Sequence, residues 1–269
     1  MFFLKFEGRL GNVIMQYTQA VCMSRKYGFP IIVGFNKDLQ KIFKTKINFF
    51  IRWIYSLFTF LIKIIYFKEL KSLVVYDNAE DRKIKVFGKF NLFYHQFRMQ
   101  YLLQLLQDNK IQLNTKYGNK VLKKYNLVNT KYIAIHIRGT DFKEYGLDSF
   151  GFDCTLPLEY YVDILSTIKK DLPVIICTDD VQKVKKSNLF PNADIQNRSA
   201  TEDFIILQNA SFLITANSTF SYSAMFLSKN LVMAYIPKYG FGQNVKKYHL
   251  LIDNDLLLST MQTKLTLVD

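Results

Sequence analysis

Four apolar runs of the sequence end in short polar segments whose residue types suit the binding of a charged ligand. The segments are EGRLGN from Glu7, HIRGTDF from His136, CTDD from Cys177 and ANSTFS from Ala216. Ligands of open α/β sheets bind beyond the carboxyl ends of the strands, so the four segments are candidates for parts of one site. Taken singly, each is also typical of a tight turn, a surface ion pair or a helix cap. Their combination favours a binding site.

Together these segments carry the groups needed to hold a nucleoside diphosphate. A helix beginning at Ser218–Ser221 would offer backbone N–H groups and hydroxyls to an anion. Arg138 would add a planar donor with a permanent charge. Asp179 or Asp180 can accept hydrogen bonds from a base with N–H donors, such as guanine. Because this adjacent pair is poor evidence for a cation, we expect no metal and no cofactor, with the protein itself neutralising the diphosphate.

The order of strands and helices predicts how the first segment is positioned. Phe2–Phe6 alternates as a strand, the segment from Asn12 to Gly28 has helical spacing, and PIIVGF from Pro30 reads as a second strand. A strand, a helix and a strand of these lengths predict a βαβ crossover and a parallel sheet. The following middle of the chain, residues 77–131, reads as mainly helical.

A second alternating series begins at Lys131 and positions the other three segments. Its strands read KYIAIHIRG, LPVIICTDD, SFLITAN and, as the last one, NLVMAYI. Its helices begin at Pro157, Val181, Ser199 and Ser218, and the helix at Ser199 starts with a capping pattern before an acidic first turn. We therefore predict an α/β protein with two Rossmann-like domains facing a cleft, over residues 1–128 and 129–269.

The composition limits the classes of protein and of partner that fit this sequence. The 269 residues are 49% hydrophobic and carry a formal net charge of +14, which is typical of a globular chain with anionic partners. The lysines are spread over the whole chain and no nucleic-acid-binding motif accompanies them, so we expect no nucleic acid partner. Cys22, Cys154 and Cys177 lack the CxxC spacing of a zinc or disulfide framework, and no secretory signal is evident. We expect a cytoplasmic protein.

A basic apolar segment, residues 44–71, has two open interpretations. Its apolar stretch from Ile47 to Phe67 approaches the length of a bilayer span, but Arg52 and Lys63 lie inside it and lysines flank it. A helix in the headgroup plane of an anionic membrane fits this pattern better than a spanning helix. The alternative is a pair of helices buried in the core.

The order of the motifs resembles that of a known family. The blocks GRLGN, FGKFNLFYHQF, HIRGTDF, PLEYY, CTDD, EDFIIL and NSTFSYSAMFL follow one another along nearly the whole chain. They resemble the α-1,2-fucosyltransferase family, glycosyltransferase family 11, whose members show a GGLGNQ-type loop, HxRRxDY, a SDD strand end and NSSFSWW. The GRLGN loop is also similar to that of protein O-fucosyltransferases, which share the GT-B architecture of two Rossmann-like domains.

The resemblance implies an inverting, metal-independent hexosyltransferase of surface polysaccharide biosynthesis. It would move a sugar, in this family L-fucose, from a GDP-sugar to a hydroxyl of an oligosaccharide or lipid-linked glycan, as a galactoside α-1,2-fucosyltransferase. We expect it at the inner face of the plasma membrane, in peripheral contact with anionic lipid. Arg138 would bind the β-phosphate, His136 and one of Asp179 and Asp180 the guanine or ribose. Asn12 would face the sugar, with close approach allowed by Gly8 and Gly11. The diphosphate would be held by Ser218, Thr219, Phe220 and Ser221, and Asn217 would also belong to the donor-binding site.

This chain departs from the family pattern at two places. Gly139 stands at the second arginine, with Thr140 at the family's glycine, and Tyr222–Ser223 replaces the tryptophan pair. One positive donor is lost, which keeps two other interpretations open: a GT-B enzyme for another sugar nucleotide, or a non-catalytic nucleotide- or glycan-binding module. The candidates for the general base, by placement, are Asp141, Glu144 and Glu7, of which Asp141 has an alternative role in bonding its own loop.

Overall fold

The computed structural model describes residues 2–4, 8–27, 31–33, 36–44, 57, 74–76, 91–94, 112–151, 153–168, 171–237 and 265–268. They belong to two compact units, Met1–Asn114 and Thr115–Asp269. The division lies before the predicted boundary at residues 128 and 129, because a helix that begins at Thr115 packs within the second unit. Except for Lys44 and Leu57, the basic apolar segment 44–71 lies outside the described residues. Among the helices that are described, none combines the length and the apolar character needed to cross a membrane.

The first unit is built on a four-stranded parallel sheet. In chain order its elements are β1 (Phe2–Leu4), α1 (Leu10–Tyr27), β2 (Ile31–Val33), α2 (Lys37–Ile42), β3 (Val74–Tyr76) and β4 (Asn91–Tyr94). The strand order is β2-β1-β4-β3, so the predicted crossover from β1 through α1 to β2 is confirmed. The prediction of a mainly helical middle is wrong at β4, because the pairing of β4 with β1 on one side and with β3 on the other overrides the local pattern of this short stretch.

Helix α1 begins earlier than its spacing predicts. Leu10, Val13 and Ile14 are buried at intervals of three and four residues, which is the spacing of one helical face. Because the helix begins at Leu10, Gly11 and Asn12 lie in its first turn rather than in the loop before it.

The second unit is built on a six-stranded parallel sheet with the order β10-β9-β8-β5-β6-β7. The prediction of a last strand at β9 is wrong, because β10 pairs with β9 in parallel at the edge of the sheet. In chain order the elements are α3 (Thr115–Lys124), β5 (Ile133–Ile137), α4 (Phe142–Phe150), α5 (Leu158–Thr167), β6 (Val174–Thr178), α6 (Val181–Lys186), β7 (Ala193–Ile195), α7 (Ala200–Asn209), β8 (Phe212–Ile214), α8 (Thr219–Phe226), β9 (Met233–Pro237) and β10 (Leu265–Val268).

Strand β5 lies in the interior of this sheet. All five of its residues are buried, with Ile133 aligned to Val174 of β6 on one side and to Phe212 of β8 on the other. Tyr161 and Ile164 of α5 pack into the apolar cluster of Ile133, Ile135 and Ile137, while α7 contacts β5 and β6. A strand covered on both faces reads as a continuous apolar run, so a polar side chain within it needs a reason. That side chain is His136.

Candidate functional site

The topology of the second unit marks one place on its sheet for a ligand. The chain leaves β5 for β6 and β7 on one side and returns to β8 on the other side of β5. Ligands of doubly wound sheets bind beyond the carboxyl ends of the strands at such a reversal. The segments HIRGTDF, CTDD and ANSTFS follow β5, β6 and β8, which are neighbours. The structure therefore brings three of the four predicted segments to one edge of one sheet.

His136 is the second-to-last residue of β5, close to this edge, and is 6% exposed. Its ring centroid is 5.1 Å from that of Phe220, at the start of α8. Its Nδ1 is buried and has no hydrogen-bond partner among the described residues. Burial lowers the pKa of His136 to about 4, although the charge of Asp179 acts in the opposite direction. The imidazole is therefore neutral at physiological pH.

Arg138 is held by two carboxylates. Its Nη1 donates to Oδ2 of Asp179 at 2.5 Å and its Nη2 donates to Oδ1 of Asp141 at 2.7 Å. The carbon of the guanidinium lies 5.5 Å from the ring centroid of Phe142. The Arg138 side chain is 15% exposed, so its orientation is set by contacts inside the protein before a ligand arrives.

Asp179 and Asp180 are directed to different parts of the fold. Oδ1 of Asp179 accepts from the backbone N–H of Gly139 at 2.8 Å, and Oδ2 also accepts from the hydroxyl of Thr140 at 3.0 Å. Asp180 is the N-cap of α6, where its Oδ1 accepts from the N–H of Lys183 at 3.2 Å. The structure thus separates the two carboxylates that the sequence leaves interchangeable.

The start of α8 is organised by its own hydroxyl groups. Ser218 is the N-cap and accepts from the N–H of Phe220 at 3.2 Å. Ser221 is fully buried, with its hydroxyl 3.2 Å from the carbonyl oxygen of Ala216. The Ser221 hydroxyl thus has a partner inside the protein and its contact with the donor stays a prediction, whereas Thr219 is partly exposed at the first turn.

Asn217 directly precedes the N-cap of α8 and is 3% exposed. Its Oδ1 accepts from the hydroxyl of Tyr222 at 3.2 Å. This hydrogen bond orients the Asn217 amide through a partner inside the protein.

The remaining predicted residues Gly8, Gly11 and Asn12 belong to the first unit. Gly8 has a φ of 80°, in the left-handed region, and a Cβ on it would lie 2.5 Å from Nδ2 of Asn12. Only glycine fits this position, because it allows both the turn and the approach of the Asn12 side chain.

Two buried charged residues of the second unit, Arg198 and Asp203, were not predicted from the sequence. Arg198, whose side chain is fully buried, donates to Oδ2 of Asp194 at 2.5 Å and lies 3.9 Å from Oδ1 of Asp203. Burial raises the pKa of Asp203 to about 7. Asp203 is joined to the β5 region through Cys177, which is aligned with His136 and whose thiol lies 3.8 Å from the Asp203 carbonyl oxygen. The only signal in the sequence was the ED of EDFIIL, which reads as an acidic first turn.

Other features of the described residues do not offer a better site. A surface pocket of about 630 Å³ lies at the opposite ends of β6 and β7, next to Pro173 and Pro191, and contains none of the predicted residues. The described part of the chain holds no group of three or more His, Cys, Asp or Glu side chains placed to bind a metal ion.

Comparison with solved structures defines the class of the fold. The NodZ α-1,6-fucosyltransferase co-crystallised with GDP is similar with a TM-score of 0.51 and 15% identity, over 84% of this chain and 92% of that one. POFUT1 in complex with GDP is similar with a TM-score of 0.51 and 10% identity, over 84% and 94% of the two chains. NodZ from Bradyrhizobium is similar with a TM-score of 0.50 and 15% identity, over 84% and 93%. The predicted α/β fold of the GT-B type is confirmed.

The family follows from the sequence. The model of "Glycosyl transferase family 11" matches residues 1–244, and the chain belongs to this family of glycosyltransferases, as its motifs predict. A search of the curated proteins finds no significant match.

Proposed function

We propose that the protein is a fucosyltransferase that moves L-fucose from GDP-fucose to a hydroxyl of a glycan, with inversion and without a metal ion. The observation that carries the proposal is Arg138, a guanidinium held by two carboxylates just after β5, at the topological switch point of the sheet. Membership of family 11 supports sugar transfer, and the GDP complexes of NodZ and POFUT1 support GDP as the leaving group.

The site fits the charge that develops in such a reaction. The diphosphate gains negative charge as its bond to the sugar breaks, so a fixed cation stabilises the transition state more than the ground state. Arg138 would contact the β-phosphate, and the first turn of α8 would bind the diphosphate through backbone N–H groups and Thr219. Asn12, with Gly8 and Gly11 beside it, would contact the sugar.

The guanine would lie against His136 and Phe220. The neutral His136 ring and the partly exposed Phe220 ring contact each other at the end of β5, with an angle of 45° between their planes. We propose Asp203 as the acceptor for the N–H groups of guanine in place of Asp180, whose Oδ1 caps α6. In its ionised form the Asp203 carboxylate is an acceptor only, and its buried Oδ1 has no hydrogen-bond partner among the described residues.

The general base stays a prediction with three candidates. Oδ1 of Asp141 is bonded to Arg138, so the carboxylate has to leave this partner or use its other oxygen. Glu144 is exposed on α4. Glu7 lies outside the described residues.

The acceptor and the location of the enzyme are further proposals. We propose an α-1,2 linkage to a galactoside of an oligosaccharide or lipid-linked glycan, in the synthesis of a surface polysaccharide on the cytoplasmic face of the plasma membrane. The basic apolar segment 44–71 would dock on anionic lipid. Co-sedimentation of the purified protein with phosphatidylglycerol vesicles at low salt tests the docking, and no binding at any vesicle concentration would exclude it.

A nucleotide and donor screen tests the activity. We expect GDP, but neither UDP nor dTDP, to raise the thermal unfolding temperature, and we expect GDP release from GDP-fucose with an acceptor in the presence of EDTA. Arg138→Ala should reduce turnover about a hundredfold or more, and Lys131→Ala, which removes an exposed cation from the other end of β5, is the control. Stabilisation by UDP or dTDP instead identifies another sugar nucleotide as the donor.

The loss of the second arginine supports one rival function, a non-catalytic nucleotide-binding module. It predicts that the wild type binds GDP through Arg138 but releases no GDP from any GDP-sugar with any acceptor.

A further inference from the structure

One carboxylate fastens three consecutive residues of the loop after β5. Asp179 accepts from the Arg138 guanidinium at 2.5 Å, from the Gly139 N–H at 2.8 Å and from the Thr140 hydroxyl at 3.0 Å. Both of its oxygens are therefore directed to this loop, across forty residues of sequence, and bind it to the end of β6. Such bonds to charged groups are the stronger class of hydrogen bond in proteins.

From this geometry we propose that Asp179 is the positioning residue for Arg138 in donor binding: it holds the guanidinium where the β-phosphate arrives, and does not itself read the base. The inference rests on the proposed function, because it takes Arg138 as the group that binds the diphosphate. It reassigns Asp179 from the base-binding role that its place after a strand predicts.

Glycine at position 139 makes this arrangement possible. A Cβ on Gly139 would lie 3.0 Å from Cβ of Asp180 and 3.4 Å from Oδ1 of Asp179, so these two side chains would have to move by a few tenths of an ångström to admit it. With no side chain, the loop lies against the end of β6 and its N–H reaches Asp179. The chain thus has one guanidinium where the family pattern has two, and the orientation of that single group depends on Asp179.

A positioning role and a mere counter-charge predict opposite changes in GDP affinity when the charge of Asp179 is removed. If Asp179 only neutralised Arg138, removing its charge would raise the local positive potential and tighten the binding of an anion. If Asp179 orients the loop, the amide of Asp179→Asn turns an NH₂ group toward a donor of the loop, because all three partners are donors. The loop is then displaced and anion binding weakens.

The experiment compares the affinities of GDP and GMP by calorimetry in the full-length protein. We expect Asp179→Asn to weaken GDP binding about ten- to a hundredfold, the loss typical of a hydrogen-bonded charged group. GMP lacks the β-phosphate, so its affinity should fall less than about threefold. Asp163→Asn makes the same charge change on the exposed face of α5 and is the matched control.

A double-mutant cycle separates an effect through Arg138 from a direct one. In the Arg138→Ala background we expect Asp179→Asn to change GDP affinity less than about twofold, since the group that it positions is gone. An equal loss of GMP and GDP affinity would overturn the proposal in favour of base recognition, and tighter GDP binding would overturn it in favour of a counter-charge. A wild type that binds no GDP, or an Arg138→Ala variant that binds it normally, contradicts instead the proposed donor site.

A milder variant keeps the test open if Asp179→Asn does not fold. Thr140→Val keeps the shape of an exposed residue and removes one of the three bonds to Asp179. We expect a loss of GDP affinity of about two- to fivefold with unchanged GMP affinity. Equal GDP affinity in this variant and the wild type contradicts the proposal.

Discussion

The hydroxyl of Tyr222 donates a hydrogen bond to the side-chain oxygen of Asn217, with 3.2 Å between the two oxygens. Both residues are buried, and burial raises the pKa of the Tyr222 phenol above its usual range. Tyr222 stands where the family block NSSFSWW carries tryptophan. In this chain a phenol at that position therefore orients the side-chain amide of Asn217.

Tyr222→Phe tests this contact. We expect a loss of about 1–2 kcal/mol in the free energy of unfolding, because the variant leaves a buried amide oxygen without its donor. Urea denaturation measures the change, and Tyr145→Phe, which alters a phenol that is 52% exposed on α4, is the control and should be neutral. Equal stability of the two variants would show that Asn217 finds another donor.

Gly139→Ala tests the close approach of the loop to β6. We expect lower stability and weaker GDP binding, by about three- to tenfold, because the new Cβ pushes the Gly139 N–H away from Asp179. Gly118→Ala is the control, because a Cβ there meets no atom within 4 Å, and in the middle of α3 it should raise stability by about 0.5–1 kcal/mol. The pair is measured by urea denaturation and calorimetry, and a stabilising Gly139→Ala would contradict the crowding.

Asp141→Asn separates the two partners of Arg138. The Asp141 carboxylate is 48% exposed and makes one contact with the guanidinium, where it would compete with the phosphate of the proposed donor. We expect the variant to bind GDP a few times more tightly, since a competing negative charge is removed, by about 1 kcal/mol or less at such exposure. Calorimetry at low and high salt measures it. Tighter binding together with a turnover reduced more than a hundredfold would identify Asp141 as the general base.

The pKa shifts of His136 and Asp203 predict opposite dependences of stability on pH. The pKa of His136 is lowered to about 4, so the unfolded chain binds more protons than the folded one between about pH 4 and 6.5, and stability falls as pH falls. The pKa of Asp203 is raised to about 7, so the folded chain binds more protons and stability falls as pH rises toward 7. The two effects offset each other near pH 5–6.

Single substitutions should reveal each of these two pH dependences in the free energy of unfolding, measured by urea denaturation between pH 5 and 6. We expect Asp203→Asn to lose about 1 kcal/mol per unit of falling pH and His136→Gln to lose about 1 kcal/mol per unit of rising pH, with the wild type between them. The pKa values of Asp153 and Glu202 are shifted downward, so these groups change charge below this range. Parallel profiles of the three proteins contradict the opposing shifts.

Local patterns predicted the elements that local chemistry controls. Ser199 and Glu202 form the expected capping box at α7, and Ser218 caps α8, because these bonds involve residues two or three positions apart. The strands of the second series were evident as continuous apolar runs, since both faces of a parallel sheet are covered. The short strands β4 and β10 were missed because their pairing, rather than their composition, makes them strands.

The sequence by itself determined the family, the alternation of strands and helices, and which segments end at the carboxyl edge of the sheet. Those properties depend on residue type and on near neighbours along the chain. Only the tertiary structure decided that Asp179 bonds the loop of Arg138 whereas Asp180 caps α6, and that Asp203 is buried beside Arg198. The reason is physical: adjacent side chains at a strand end point in different directions, so Asp180 meets Lys183 on the following helix whereas Asp179 meets Arg138, which is 41 residues away in the sequence.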